Sequence, residues 1–198
     1  MIFLVSSFNY IYSQKINDNN MKTKVATFGS GCFWCTEAIF NRVEGVIKVE
    51  PGFSGGHRKN PTYNEVVSGT TGHAEVTQIT FNPDIVSFET LLEVFWKTHN
   101  PTTLNRQGAD VGTQYRSVIF YHDQDQMKLS KKYMAELQMA DIWDDPIVTE
   151  IVKFDDFYPA EDYHNDYYKN NPANSYCNFV ITPKVEKFEK VFKDKLKK

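Results

Sequence analysis

Three cysteines are too few for a disulfide scaffold, and their odd number leaves at least one thiol without a permanent partner. Basic excess is absent as well. The chain carries 22 Lys and Arg against 25 Asp and Glu, a net charge of −3, and offers no basic surface to nucleic acid. Lysines cluster near the C-terminus, but acids interleave with them, as on a solvated helix face. No apolar run reaches the roughly 20 residues that a membrane-spanning helix needs. A second CxxC is missing, and from Val25 onward there is no linker, repeat or low-complexity tract.

What is present is ordinary in amount and unusual in kind. The 198 residues are enough for one domain with a proper core, and about 41% of them are apolar. Aromatics are plentiful, with 11 Tyr, 15 Phe and 3 Trp. Residues 1–20, MIFLVSSFNYIYSQKINDNN, differ from the rest. They read either as a weak signal peptide, although no Lys or Arg precedes the apolar stretch, or as a dispensable extension before a second start at Met21. The expectation is a single catalytic domain over 21–198. It would be cytoplasmic, or exported if residues 1–20 act as a signal.

Short strand-like runs alternate with helical patterns. VATF (25–28), residues 45–50, EVTQITF (75–81), YRSVIFY (115–121), VTEIVKF (148–154) and NFVIT (178–182) read as strands. FWCTEAIFNRV (33–43), SFETLLEVFWKTH (87–99, Ser87 as N-cap), QMKLSKKYMAELQM (126–139) and a C-terminal stretch opened by Pro183 read as helices. The mixture is α+β, with a sheet carrying helices on one face. Two long Gly-, Pro- and Asn-rich loops, PGFSGGHRKNPTY (51–63) and NPTTLNRQGADVGTQY (100–115), carry Tyr, His, Asp and Arg, as functional loops often do.

Strand, Gly29-Ser30-Gly31, Cys32 and helix follow one another. A cysteine there meets unsatisfied N–H groups and the positive end of the helix dipole, which favour thiolate and so a nucleophile. Three other readings stand beside it: a buried cysteine after a tight turn, a zinc site completed by Cys177 and a His, and a thioredoxin-like Cys32/Cys35 pair.

Four motifs occur in order: GCFW after a strand, GHAEV at 72–76, NRQGADVGTQYRS at 105–117 and AEDYHNDY at 160–167. Together they resemble the peptide-methionine (S)-S-oxide reductases, the A-type methionine sulfoxide reductases, from about Thr23 to about Pro183. The resemblance implies a two-layer α/β sandwich with a ferredoxin-like core and long coil segments around the site. It implies reduction of the S epimer of methionine sulfoxide, free or in proteins, with no cofactor and no metal. Cys32 matches the nucleophile and Glu75 the acid that protonates the sulfoxide oxygen. Tyr63 and Tyr115 match phenols that hydrogen-bond that oxygen, and Asp110 a carboxylate that organises the site. Phe33 and Trp34 match the apolar pocket for the substrate methyl group. His164, with Tyr163, Asp166 and Tyr167, falls in a family motif and is expected to support the site.

In the family, a later cysteine resolves the sulfenic acid on the nucleophile, and thioredoxin reduces the disulfide, a job dithiothreitol can also do. Cys177 lies in the matching region, on an expected strand start. Cys35 departs from the commonest family form, where glycine follows GCFW. The expected order is Cys177 as first resolver and Cys35 as a relay toward thioredoxin. A monomer without membrane attachment is the default. Two other functions stay open: a general CxxC thiol-disulfide oxidoreductase, and a metal- or heme-dependent sensor on the same fold.

Overall fold

A computed structural model of the protein describes residues 22–198; the extension at 1–20 lies outside the described residues. The chain runs β1 (Lys24–Ser30), α1 (Phe33–Phe40), β2 (Val46–Ser54), α2 (Tyr63–Val67), β3 (Ala74–Phe81) and α3 (Phe88–Thr98). A two-residue hairpin, β4 (Arg106–Gln107) and β5 (Asp110–Val111), leads to β6 (Ser117–Tyr121). Then come α4 (Gln124–Met139), β7 (Glu150–Lys153), β8 (Phe157–Pro159), α5 (Tyr167–Asn170) and α6 (Thr182–Val191). Six strands form one sheet in the order β7-β6-β1-β3-β2-β8, antiparallel except for the parallel pair β6–β7.

The period of two along β3 decides what faces what. Ala74 and Val76 point to one side, against Val118 and Phe120, under Phe154 and Phe157. Ile79 and Phe81 point to the other side, where α1, α3, α4 and α6 pack. Glu75 shares that parity, so the pleat aims its carboxyl at the helix layer. Phe28 of β1 anchors the layer through ring contacts of 5.7, 5.9 and 5.1 Å with Phe40, Phe88 and Phe95. Burying such a ring stabilises the fold by about 3 kcal/mol. The expected helices on one face are found, and Ser87 caps α3 by accepting the Thr90 N–H at 3.2 Å.

Three readings need correction. NFVIT is no strand: Cys177–Ile181 is a π-helical turn running into α6. Its buried positions, Cys177, Ile181, Val185 and Phe188, recur at helical spacing while Asn178 and Phe179 are exposed. Within five apolar-rich residues the two periods cannot be told apart. Cys177 therefore stands on a helical turn and not at a strand start. The loop at 51–63 starts later than read, because β2 continues through Pro51 and Gly52 to Ser54. Pro51 lacks an N–H, yet its carbonyl accepts from Ala160 N–H at 3.0 Å, and pairing with β8 begins one residue on.

Among the described residues no helix is long and apolar enough to cross a membrane. No cluster of three His, Cys, Asp or Glu suited to a metal ion is found among them either.

Candidate active site

The site begins where β1 ends. Gly31 has φ +90°, and a Cβ there would lie 2.5 Å from the Gln107 side chain. Gln107 is tied at both amide atoms to the backbone of Asn100, at 3.1 and 2.9 Å. The glycine turn thus does two things: it delivers Cys32 to the N-cap of α1, and it lets the 100–115 loop dock beside it. That loop brings Asp110, on β5, and Tyr115, at the end of a 3₁₀ turn, to the same place.

Cys32 is buried, and the first amide of its helix is already taken. Phe33 N–H donates to Glu75 Oε2 at 3.0 Å. Glu75 is 1% exposed, and burial pushes its carboxyl up to about 8, against the lowering effect of the Phe33 bond. Near neutral pH it is mostly a carboxylic acid. The expectation that the helix start favours a Cys32 thiolate is overturned. Burial raises the Cys32 thiol well above its usual range, and the neighbouring Cys35 and Glu75 raise it further. The helix end that would have stabilised a thiolate is occupied by the carboxyl of Glu75.

The Cys35 thiol is lowered to about 7 despite burial, first by the neighbouring Cys32 thiol. Lys184 Nζ donates to Cys35 Sγ at 3.7 Å and adds to the lowering. Cys177 is fully buried, and the charge of Cys35 raises its thiol further. All three cysteines are free.

Tyr63 opens α2, which Thr62 and Glu65 close with a reciprocal capping box. Its N–H donates to Glu161 Oε1 at 3.0 Å. Burial and the charge of Glu75 raise the phenols of Tyr63 and Tyr115 alike, so both stay protonated donors beside Glu75 and Cys32. A third phenol was not anticipated. Tyr176 Oη donates to Asp110 Oδ2 at 2.7 Å and faces the sulfurs of Cys32 and Cys35. The only sequence signal for it was an aromatic residue directly before Cys177.

Phe33 is buried against Phe53, Val66 and Ala160, with Trp34 and Tyr63 packed on them. Trp34 stacks on Tyr167 at 3.7 Å, with an interplanar angle of 7°. Its Nε1–H donates to His164 Nδ1 at 3.1 Å, which assigns the imidazole proton to Nε2. His164 Nε2 lies 3.8 Å from Glu161 Oε2, and both atoms are buried without another partner. Burial lowers the His164 pKa, so the ring is neutral and can accept from Trp34. Cys32, Cys35, Glu75, Asp110, Tyr63, Tyr115, Phe33, Trp34, Cys177 and His164 are thus in or against the site, with Tyr167 stacked on Trp34, while Tyr163 and Asp166 are exposed.

A buried cysteine pair at a helix start, faced by a neutral carboxylic acid and by protonated phenols, is an arrangement suited to thiol redox chemistry. Residues 24–196 match the family described as peptide methionine sulfoxide reductase, and the chain belongs to that family. It is 55% identical over 174 residues to the peptide methionine sulfoxide reductase MsrA of Saccharolobus solfataricus, covering 88% of this chain and 97% of that protein. Among solved structures, Mxr1 from Saccharomyces cerevisiae in reduced form superposes with a TM-score of 0.72 at 35% identity, over 79% of this chain and 90% of that one. Mxr1 in complex with Trx2 matches with a TM-score of 0.51 at 25% identity, over 78% and 91%.

Proposed function

We propose that the protein reduces the S epimer of methionine sulfoxide, free or in proteins, to methionine, and is recycled by thioredoxin. The observation that carries this reading is the protonated Glu75 carboxyl beside Cys32. A sulfoxide sulfur is a poor electrophile until its oxygen takes a proton. Cys32 Sγ attacks that sulfur while Glu75 protonates the oxygen, and the Cys32 thiol proton returns to Glu75. The oxygen then passes from the methionine sulfur to Cys32 Sγ as the S–S and the old S–O bonds break, so methionine departs and Cys32 is left as a sulfenic acid. Tyr63 and Tyr115 donate to the oxygen, where fixed donors act most strongly as charge develops. The walls of Phe33 and Trp34 take the methyl group, and acid and phenols take the oxygen, so one epimer fits.

Two further thiols close the cycle. Sequence expectation put Cys177 first; the reverse order is favoured by the position of Cys35 one helical turn after Cys32 at the start of α1, and by the charge of Cys35 acting on Cys177. Cys35 attacks the sulfenic acid to form a Cys32–Cys35 disulfide. Cys177 then exchanges with Cys35, freeing Cys32, and thioredoxin reduces the Cys35–Cys177 disulfide. The complex of Mxr1 with Trx2 supports this partner. Electrons come from thiols, so no cofactor takes part.

The core strand order β6-β1-β3-β2, with α1 and α3 as crossovers, supports a ferredoxin-like two-layer sandwich within a single catalytic domain over 21–198. A cytoplasmic monomer is the working form. The test is methionine formation from each sulfoxide epimer with dithiothreitol. The S epimer alone should be reduced, and Cys32→Ser should abolish it; retained activity would sink the assignment.

A further inference from the structure

Lys184 stands on α6, which continues without a break the helical run that carries Cys177. It is half-buried, and none of the described ion pairs includes it. Its polar partner is a sulfur: Nζ lies 3.7 Å from Cys35 Sγ. The chain segment explains how it gets there. Cys177, Ile181 and Lys184 follow at helical spacing across the π turn and the start of α6, so one face of one segment turns both Cys177 and Lys184 toward Cys35.

We propose that Lys184 is a positioning residue that holds negative charge on the Cys35 sulfur and so makes Cys35 the attacking thiol in disulfide formation. The step balances as follows. Cys35–S⁻ attacks the sulfur of Cys32–SOH, the S–S bond forms and the S–O bond breaks. The hydroxide takes the proton of Glu75 and leaves as water. Cys35 is oxidised and the Cys32 sulfur is reduced; the sulfenic acid is the oxidant, supplied by the reductase reaction. Once Cys35 is in a disulfide its charge is gone and Lys184 has no anion to hold. Lys184 thus acts on the thiolate form alone, the form that starts each recycling. Burial alone would leave a cysteine at this position mostly protonated, and Lys184 works against it. On this reading Lys184 and Cys35 function as a pair, drawn from opposite ends of the chain.

The proposal rests on the reductase reading for the source of the sulfenic acid, but its test does not. In a Cys32→Ser/Cys177→Ser background Cys35 is the remaining thiol, and the serine hydroxyl keeps a donor toward it. Thiolate absorbance followed against pH then reports Cys35 alone. Lys184→Gln should move the midpoint up by about one pH unit, and Lys184→Arg should restore it. In the wild-type cysteine background, dimedone trapping after one addition of methionine sulfoxide should show the sulfenic acid decaying about fivefold more slowly at neutral pH in Lys184→Gln, with rescue by Lys184→Arg. A titration midpoint unmoved by Lys184→Gln, or unrestored by arginine in a protein with wild-type circular dichroism, overturns the proposal. A shifted midpoint in a protein that forms no methionine counts against the reductase reading and leaves the Lys184–Cys35 pairing supported.

Discussion

Glu75 Oε2 accepts the backbone N–H of Phe33 at 3.0 Å, so the carboxyl sits on the first amide of the helix that begins beside Cys32. A strand and a helix N-terminus meet in that one bond. It binds the acid in place, and it fills the position from which the helix dipole would otherwise have lowered the Cys32 thiol. Glu75 and Cys32 therefore both start as neutral groups.

The pH dependence of the chemical step follows. Glu75 acts as an acid only while protonated, and its carboxyl is raised to about 8. Single-turnover methionine formation should hold through neutral pH and fall tenfold per unit above about pH 8. Glu75→Gln should lose at least about a hundredfold in rate, within the span a general acid contributes. Rapid-quench measurement across pH checks both.

Recycling should have the opposite slope. Cys35 attacks as a thiolate and titrates near 7, so thioredoxin-driven turnover should decline as pH falls below about 7. Cys35→Ser should accumulate the Cys32 sulfenic acid, and Cys177→Ser should accumulate the Cys32–Cys35 disulfide. Mass spectrometry after one equivalent of substrate distinguishes the two; a Cys32–Cys177 disulfide as the main product in the wild type would refute the order argued above.

Trp34 is held by His164 at 3.1 Å and by stacking on Tyr167. His164→Ala removes the acceptor and leaves the indole N–H unpaired at the rim of the methyl pocket. Loss of one hydrogen bond of about 1 kcal/mol predicts a KM for methionine sulfoxide raised about fivefold, with a smaller change in kcat. Steady-state kinetics at saturating reductant reads it directly.

Glu37 is buried on α1, with one oxygen accepting from Asp166 N–H at 2.8 Å and the other unpartnered. Burial raises its carboxyl to about 7, above its ordinary value in the unfolded chain. The folded state then binds the proton more tightly, so stability is greatest below about pH 4.5 on this account and is lost as pH rises through 7. Glu37→Gln keeps an acceptor for Asp166 and should flatten that loss. Urea unfolding at pH 5 and pH 8 compares the two proteins.

Much of this protein could be read from short-range pattern. Gly29-Ser30-Gly31-Cys32 before a helical stretch placed Cys32 at a helix start, and Ser87 with Glu89 placed the start of α3. These depend on interactions within one turn of chain, which neighbouring residues determine. The four motifs pointed to the family and brought Glu75, Tyr115 and Asp110 into view, and the 51–63 loop held Tyr63. Only the tertiary structure decided how charge is shared among them. Whether Cys32 or Cys35 carries the proton depends on Glu75 taking the Phe33 amide, on Lys184 arriving from the last helix, and on the burial of all three sulfurs. Those partners are tens to hundreds of residues apart in sequence, and desolvation is a property of the packed interior. The same holds for Tyr176 and for the helical turn at Cys177, where a short apolar run fits strand and helix equally until the core chooses its face.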